Sequence, residues 1–178
     1  MRTVFQSFLM ALAIAGCSRT VASPTPRQTG SRPTAAARTP PTVTTSTAAA
    51  LADDLLARTN AERRNAGLPA LARSLNLMRA AQLQADQMAR LHRLDHELPG
   101  APYPTLASRL DQVAYAMRAA GENIGEGYRS TADALSGWMK SSGHRANIVS
   151  PKYTEIGTAI AAADDGTRYW VQVFGRPR

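Results

Sequence analysis

The chain has 178 residues, with 21 lysines and arginines against 13 aspartates and glutamates, a net charge of +8 and one cysteine. That lone cysteine excludes an internal disulfide framework. Arg2, Arg19, Arg27, Arg32 and Arg38 precede residue 49, so the rest of the chain carries 16 basic against 13 acidic residues, a net of +3, which is too little for the positive field of a nucleic-acid-binding domain.

The first element is a short apolar stretch. Met1 and Arg2 form a small positive start, and Val4 to Ala15 is apolar except for Gln6 and Ser7. A membrane-crossing helix needs about 20 apolar residues, so this stretch reads as the core of a signal peptide over residues 1–16. Ile14-Ala15-Gly16-Cys17 resembles the lipobox of bacterial lipoproteins, in which the cysteine after small residues is acylated. The resemblance implies lipidation of Cys17 and attachment to the cell envelope. Ser18 in the next position implies the outer membrane if the cell is Gram-negative. An ordinary signal peptide that happens to contain a cysteine is the alternative, and it would give a secreted protein.

Residues 18–48 hold nine Thr, five Pro and four Ser, with no Asp, Glu, Leu, Ile or aromatic residue. Such a segment cannot bury enough apolar surface to offset its ordering entropy, so residues 17–48 are expected to be a disordered tether. Residues 49–178 are enough for one domain with a core that needs no disulfide.

Within that domain, Leu51, Leu55 and Leu56 predict a helix over about 49–65, stopped by Gly67 and Pro69. Ser74 caps a second helix, on which Leu75, Met78, Ala81, Ala85, Met88 and His92 mark one apolar face. Leu106, Leu110, Val113 and Met117 predict a third helix, closed by Gly121. Ser130 and Asp133 give the start signal of a fourth, with Trp138 on its buried side. Residues 142–147 read as irregular or a short helix. Ile156, Thr158 and Ile160 alternate as a strand, and Asp164-Asp165-Gly166 is a turn. Tyr169 to Phe174 carries large groups on both faces, as a central strand does. Helices first and a hairpin last argue an α+β layered domain.

The candidates for chemistry are the domain's three histidines, His92, His96 and His144. His92 and His96 have the i, i+4 spacing of two zinc ligands on a helix. The zincin pattern needs Glu directly after the first His, however, and Arg93 stands there. His92 also falls on the apolar stripe, where a hydrogen-bonded core histidine is the commoner outcome. The second combination is His96, Glu122 and His144, each beside turn-forming residues where separate elements can converge.

Motifs in chain order sharpen that combination. Asn60-Ala61-Glu62-Arg63, Gly121-Glu122-Asn123-Ile124, Trp138-Met139-Lys140-Ser141 with Gly143-His144-Arg145-Ala146-Asn147-Ile148, Tyr153-Thr154-Glu155-Ile156-Gly157, and Tyr169 to Gly175 together resemble the CAP superfamily, the cysteine-rich secretory, antigen-5 and pathogenesis-related proteins, in its bacterial branch. The resemblance covers about residues 51–175. It implies a three-layer α-β-α sandwich with a small, mainly antiparallel sheet. It also implies a cleft lined by two His and two Glu, which can hold a divalent metal in eukaryotic members. Carried over, the first His is His96, the first Glu is Glu122 and the second His is His144. The second Glu falls on Ser141, so the tetrad is incomplete, and Glu155 is no substitute for it.

Two imidazoles and a carboxylate can hold zinc with a position left for water, so His96, His144 and Glu122 are the candidate metal ligands. The other outcome is that Glu122 and His144 bond backbone groups and brace the cleft. Gln172 faces either the cleft or solvent, while Asn123 and Asn147 are expected to tie down loops. The preferred reading is a monomeric surface lipoprotein, held to the membrane by the lipid on Cys17, whose cleft binds a lipid, a peptide or a cell-envelope polymer. Nucleic acid is not among the expected partners. The rivals are a metal-dependent hydrolase and a structural envelope protein with a vestigial cleft. The missing second Glu favours binding over catalysis, because a general base is harder to name.

Overall fold

One strand, buried on both faces, separates the two halves of the core. The computed structural model describes residues 45–178. The signal segment, Cys17 and nearly all of the expected tether lie outside the described residues. The elements are α1 (Thr45–Asn65), β1 (Ala72–Arg73), α2 (Leu75–Leu91), α3 (Leu106–Gln112), β2 (Met117–Glu126), α4 (Thr131–Lys140), α5 (Ser142–Ile148), β3 (Glu155–Ala162) and β4 (Arg168–Pro177). The sheet order is β1-β3-β4-β2, so β4 is central as expected. β4 runs antiparallel to both neighbours, and only the two-residue β1 pairs parallel, with β3.

On β4, Tyr169, Val171 and Val173 enter one apolar cluster with Leu77, Ala81 and Met88 of α2 and Leu110 of α3. Trp170 and Phe174 enter a second cluster with Leu55 of α1, Trp138 of α4 and Ile148 of α5. A period of two thus places one helical layer on each face, which is the expected α-β-α sandwich. Two contacts set the layer spacing. Gly157 of β3 lies against the Leu77 and Met78 backbone of α2, where a Cβ would collide with main chain. Trp138 is fully buried, and its Nε1 donates to the Ile124 carbonyl at 2.9 Å, which fixes α4 to β2.

Several elements differ from expectation. α1 begins at Thr45, inside the stretch read as tether. Residues 142–148 are helical, the second of the two expected outcomes. The third helix stops at Gln112, because Ala114 takes a left-handed backbone (φ 52) and the Tyr115 N–H returns to the Leu110 carbonyl at 2.9 Å. Met117 therefore opens a strand, and Gly121 lies inside β2 rather than capping a helix. A glycine suits that position because a Cβ there would strike the Tyr153 hydroxyl.

The apolar stripe of α2 misses at both ends. Leu75 is 67% exposed in the first turn. His92 is not a core residue. α2 ends at Leu91, and His92 caps it with φ 48, which turns the ring out of the stripe with its side chain 46% exposed. His92 and His96 therefore do not share a helix face. Gln84 and Gln87 lie on the buried face instead, because each bonds main chain of the segment that follows: Gln84 Nε2 donates to the Asp95 carbonyl at 2.7 Å and Gln87 Nε2 to the Tyr103 carbonyl at 3.1 Å.

Candidate functional site

β2 is an outer strand, and its side chains alternate between the two layers. Glu122 pairs with Val173 and faces the α2–α3 side, whereas Asn123 pairs with Gln172 and faces the α1–α5 side. The candidate residues therefore reach one strand edge from opposite faces of the sheet.

On the first face stands a three-membered cluster. Glu122 is almost completely buried, with its side chain 3% exposed. One carboxylate oxygen accepts from Arg109 Nη2 at 2.9 Å and the other lies 2.9 Å from His96 Nδ1. Arg109 is fully buried. It also donates to the Tyr103 carbonyl at 3.3 Å and the His96 carbonyl at 3.4 Å, which ties the loop between α2 and α3 to the sheet. Burial lowers the pKa of Arg109 while the Glu122 charge opposes that fall. The His96 side chain, by contrast, is 53% exposed.

A carboxylate on Nδ1 requires the proton to sit on Nδ1 when the ring is neutral. Nε2 then carries the free lone pair and has no hydrogen-bond partner among the described residues. Hydrogen bonding to Glu122 raises the pKa of His96, against the opposing effects of burial and of Arg109.

On the second face His144 stands on α5. Asn123 Nδ2 donates to its carbonyl at 3.1 Å, and its ring tilts against Trp138 with centroids 6.4 Å apart. Burial lowers its pKa, and the charge of His96 lowers it further. The charge of His96 thus reaches the His144 ring at the edge of β2. Asn147 Nδ2 donates to Asn123 Oδ1 at 2.9 Å and to the Glu122 carbonyl at 3.2 Å, so both asparagines bond main chain, but that of α5 and β2 rather than of the expected loops.

Two of the anticipated residues play other parts. Gln172 faces neither cleft nor solvent. It is fully buried, donates to Thr59 Oγ1 at 2.6 Å and accepts from Asn123 Nδ2 at 3.0 Å, linking α1 to β2 through β4. Ser141 is half-buried at the junction of α4 and α5, where its backbone N–H donates to the Trp138 carbonyl at 3.1 Å. Its hydroxyl has no hydrogen-bond partner among the described residues. Asn60 and Arg63 of the first motif are also braces. Asn60 exchanges two bonds with the Leu71 backbone, at 3.0 and 2.8 Å, and Arg63 donates to the carbonyls of Pro69, Ile148 and Ser150.

The residue that the motifs did not supply is Arg109. Its signal lay in the helical spacing. Leu106, Arg109, Leu110 and Val113 fall at i, i+3, i+4 and i+7, so the arginine occupies a core position. A buried cation needs a buried partner, and Glu122 is that partner.

The three proposed ligands do not fit a divalent cation as they stand. Both oxygens of Glu122 are committed, and Ser141 adds no carboxylate. His96, Glu122 and His144 are also not a group whose ligand atoms all lie within 4.8 Å of one another. Among the described residues that condition is met only by His92, Asp164 and Asp165. Glu122 in this geometry orients an imidazole rather than ligating a metal.

The model of the cysteine-rich secretory protein family (CAP) matches residues 56–174. The uncharacterized protein YkwD of Bacillus subtilis is 33% identical over 118 residues, 65% of this chain and 43% of that protein. The uncharacterized membrane protein YlbC of the same organism is 32% identical over 72 residues, 40% of this chain and 19% of that one. The chain thus spans less than half the length of these curated relatives. A crystal structure of an extracellular protein containing an SCP domain, from Bacillus anthracis, superposes with a TM-score of 0.65 at 27% identity, covering 73% of this chain and 41% of that one. An outer surface protein of Borrelia burgdorferi gives 0.65 at 18% identity, covering 71% and 92%, and supports the fold alone.

Proposed function

Because this chain belongs to the cysteine-rich secretory protein (CAP) family, in its bacterial branch, we propose that it is an exported envelope protein whose His96–Glu122–His144 cleft binds a ligand. One observation carries the reading. A fully buried arginine and a nearly buried glutamate hold an imidazole that is itself half exposed. Burying an ion pair costs desolvation that a packed apolar pair would not. Here the pair holds the half-exposed ring of His96 in one tautomer, with Nε2 left free, and the charge of that ring is felt at His144. Such a cluster suits hydrogen bonding to a polar ligand group: a peptide amide, a sugar hydroxyl of a wall polymer or a lipid headgroup.

Export rests on the signal-peptide pattern of residues 1–16 and on the extracellular relative from Bacillus anthracis. Lipid attachment at Cys17 and a tether reaching to the start of α1 complete the proposal. In cells fed labelled palmitate, the wild-type protein takes up label and Cys17→Ser does not. Uptake by both would end the lipid assignment.

Binding is tested by following the ring nitrogens of the three histidines in ¹⁵N-histidine-labelled protein while soluble peptidoglycan fragments, peptides or short-chain lipids are added. The expected result is a saturable shift at His96 and His144, absent in His144→Ala while that variant keeps its fold. No shift with any probe class would overturn the reading. Turnover of a peptide or peptidoglycan probe that disappears in Glu122→Gln would replace binding with hydrolysis.

A further inference from the structure

We propose that His92, Asp164 and Asp165 form a surface site for a first-row transition-metal dication such as Zn²⁺, separate from the family cleft. The left-handed cap at His92 carries its ring off the end of α2 toward the turn between β3 and β4. There Nε2 lies 2.9 Å from Asp164 Oδ1, and Nδ1 lies 3.6 Å from Asp165 Oδ2. Asp165 is fixed on its other side, because its Oδ1 accepts the Thr167 N–H at 2.8 Å. One donor atom from each of the three residues lies within 4.8 Å of the other two, and no other group of three His, Cys, Asp or Glu among the described residues is so close.

The spacing suits an ion. Zinc bonds of about 2.1 Å meeting at the tetrahedral angle put neighbouring donors about 3.4 Å apart, so Nε2 and Asp164 Oδ1, in ion-pair contact at 2.9 Å, need to part by only about 0.5 Å to admit the ion. An imidazole with two carboxylates selects transition metals over Mg²⁺ and Ca²⁺, which prefer an all-oxygen shell. The two aspartate charges neutralise the dication. A basin of about 340 Å³ adjoins the cluster, lined among others by Asp86, Arg90, His92 and Asp164, so water can complete the shell. None of these residues belongs to the His96–Glu122–His144 cleft, and the site does not depend on what that cleft binds.

The test uses the full chain, made without export so that Cys17 keeps its free thiol, labelled with ¹⁵N-histidine and titrated with zinc chloride. Reading ring nitrogens separates the three histidines from one another and from zinc taken up at Cys17. The expected result is a saturable shift of the His92 ring while His96 and His144 stay unmoved. Asp164→Asn should weaken the binding by roughly tenfold or more. His92→Asn, which tolerates a left-handed backbone, should remove the saturable uptake outside Cys17 with the fold retained. Binding unaltered by His96→Ala or His144→Ala supports the assignment. Zinc that moves the His96 and His144 rings instead of His92 overturns it. So does a His92 ring that never shifts, which would leave the cluster as an ordinary ion pair.

Discussion

His96 and His92 each sit within 3 Å of a carboxylate oxygen, yet the two pairs are built differently. The partner of His96 is 3% exposed and compensated by a buried arginine. The partners of His92 are 88% and 56% exposed, and no arginine or lysine pairs with them among the described residues. In the first cluster the carboxylate has one orientation because both of its oxygens are committed. In the second, water competes for each contact, so the ring can exchange a carboxylate for another ligand at little cost. One cluster is a fixed presentation of an imidazole; the other is an open set of donors.

The sharpest way to break this contrast is Arg109→Met. Removing one partner of a buried pair leaves the other charge unpaired, which costs about 3–5 kcal/mol. Chemical denaturation should show a loss of that size. A loss under about 1 kcal/mol would mean that water reaches Glu122 and that the first cluster is no more rigid than the second. Glu122→Gln should cost less, because the amide keeps one acceptor oxygen for Arg109. Its diagnostic effect is on titration. Both contributions of Glu122 raise the pKa of His96, so the His96 pKa should fall in this variant, read by ring-proton shifts against pH.

The contrast also carries a pH signature. The folded pKa of His96 is raised, so its contribution to stability is full below about pH 6.5, the ordinary imidazole value, and is lost as pH rises through the raised value. That of His144 is lowered, so its contribution is full above the ordinary value and is lost as pH falls through the lowered one. Between the two, His96 is charged and His144 neutral. Burial is the larger cause of that lowering and stays in His96→Ala, which removes only the added effect of the His96 charge, so the His144 pKa should rise part of the way toward the ordinary value. An unmoved His144 titration would show that the two rings do not share a cleft.

Much of this arrangement could be read from the chain, and the failures have physical causes. The alternation of Tyr169 to Phe174 marked the central strand because both faces of β4 are covered by helices. The Gly121-Glu122-Asn123 motif is expected at a helix end but lies inside β2. Leu106, Leu110, Val113 and Met117 keep helical spacing across a break made by an alanine, a residue that rarely takes φ 52. β1 has two residues, too few for a period to register. The burial of Gln172 is not legible because alternation gives the face of a strand and not what covers it. Here the cover is Thr59 of α1, 113 residues away in sequence. For Arg109 the reverse holds: its position on the stripe is visible, but its partner Glu122 is supplied by tertiary contact alone.

The smallest expected effect falls on the exposed cluster. Asp164→Asn leaves Asp165 facing His92 and breaks only a solvent-washed contact, worth at most about 1 kcal/mol. Without added metal, its unfolding midpoint should lie close to that of the wild type at neutral pH. With zinc present the wild type should gain stability through binding to the native state, and the variant should gain less. A large metal-free loss would mean that this pair clamps the β3–β4 turn to the end of α2. The cluster would then be a second fixed brace, and the difference between the two histidines would lie in exposure alone.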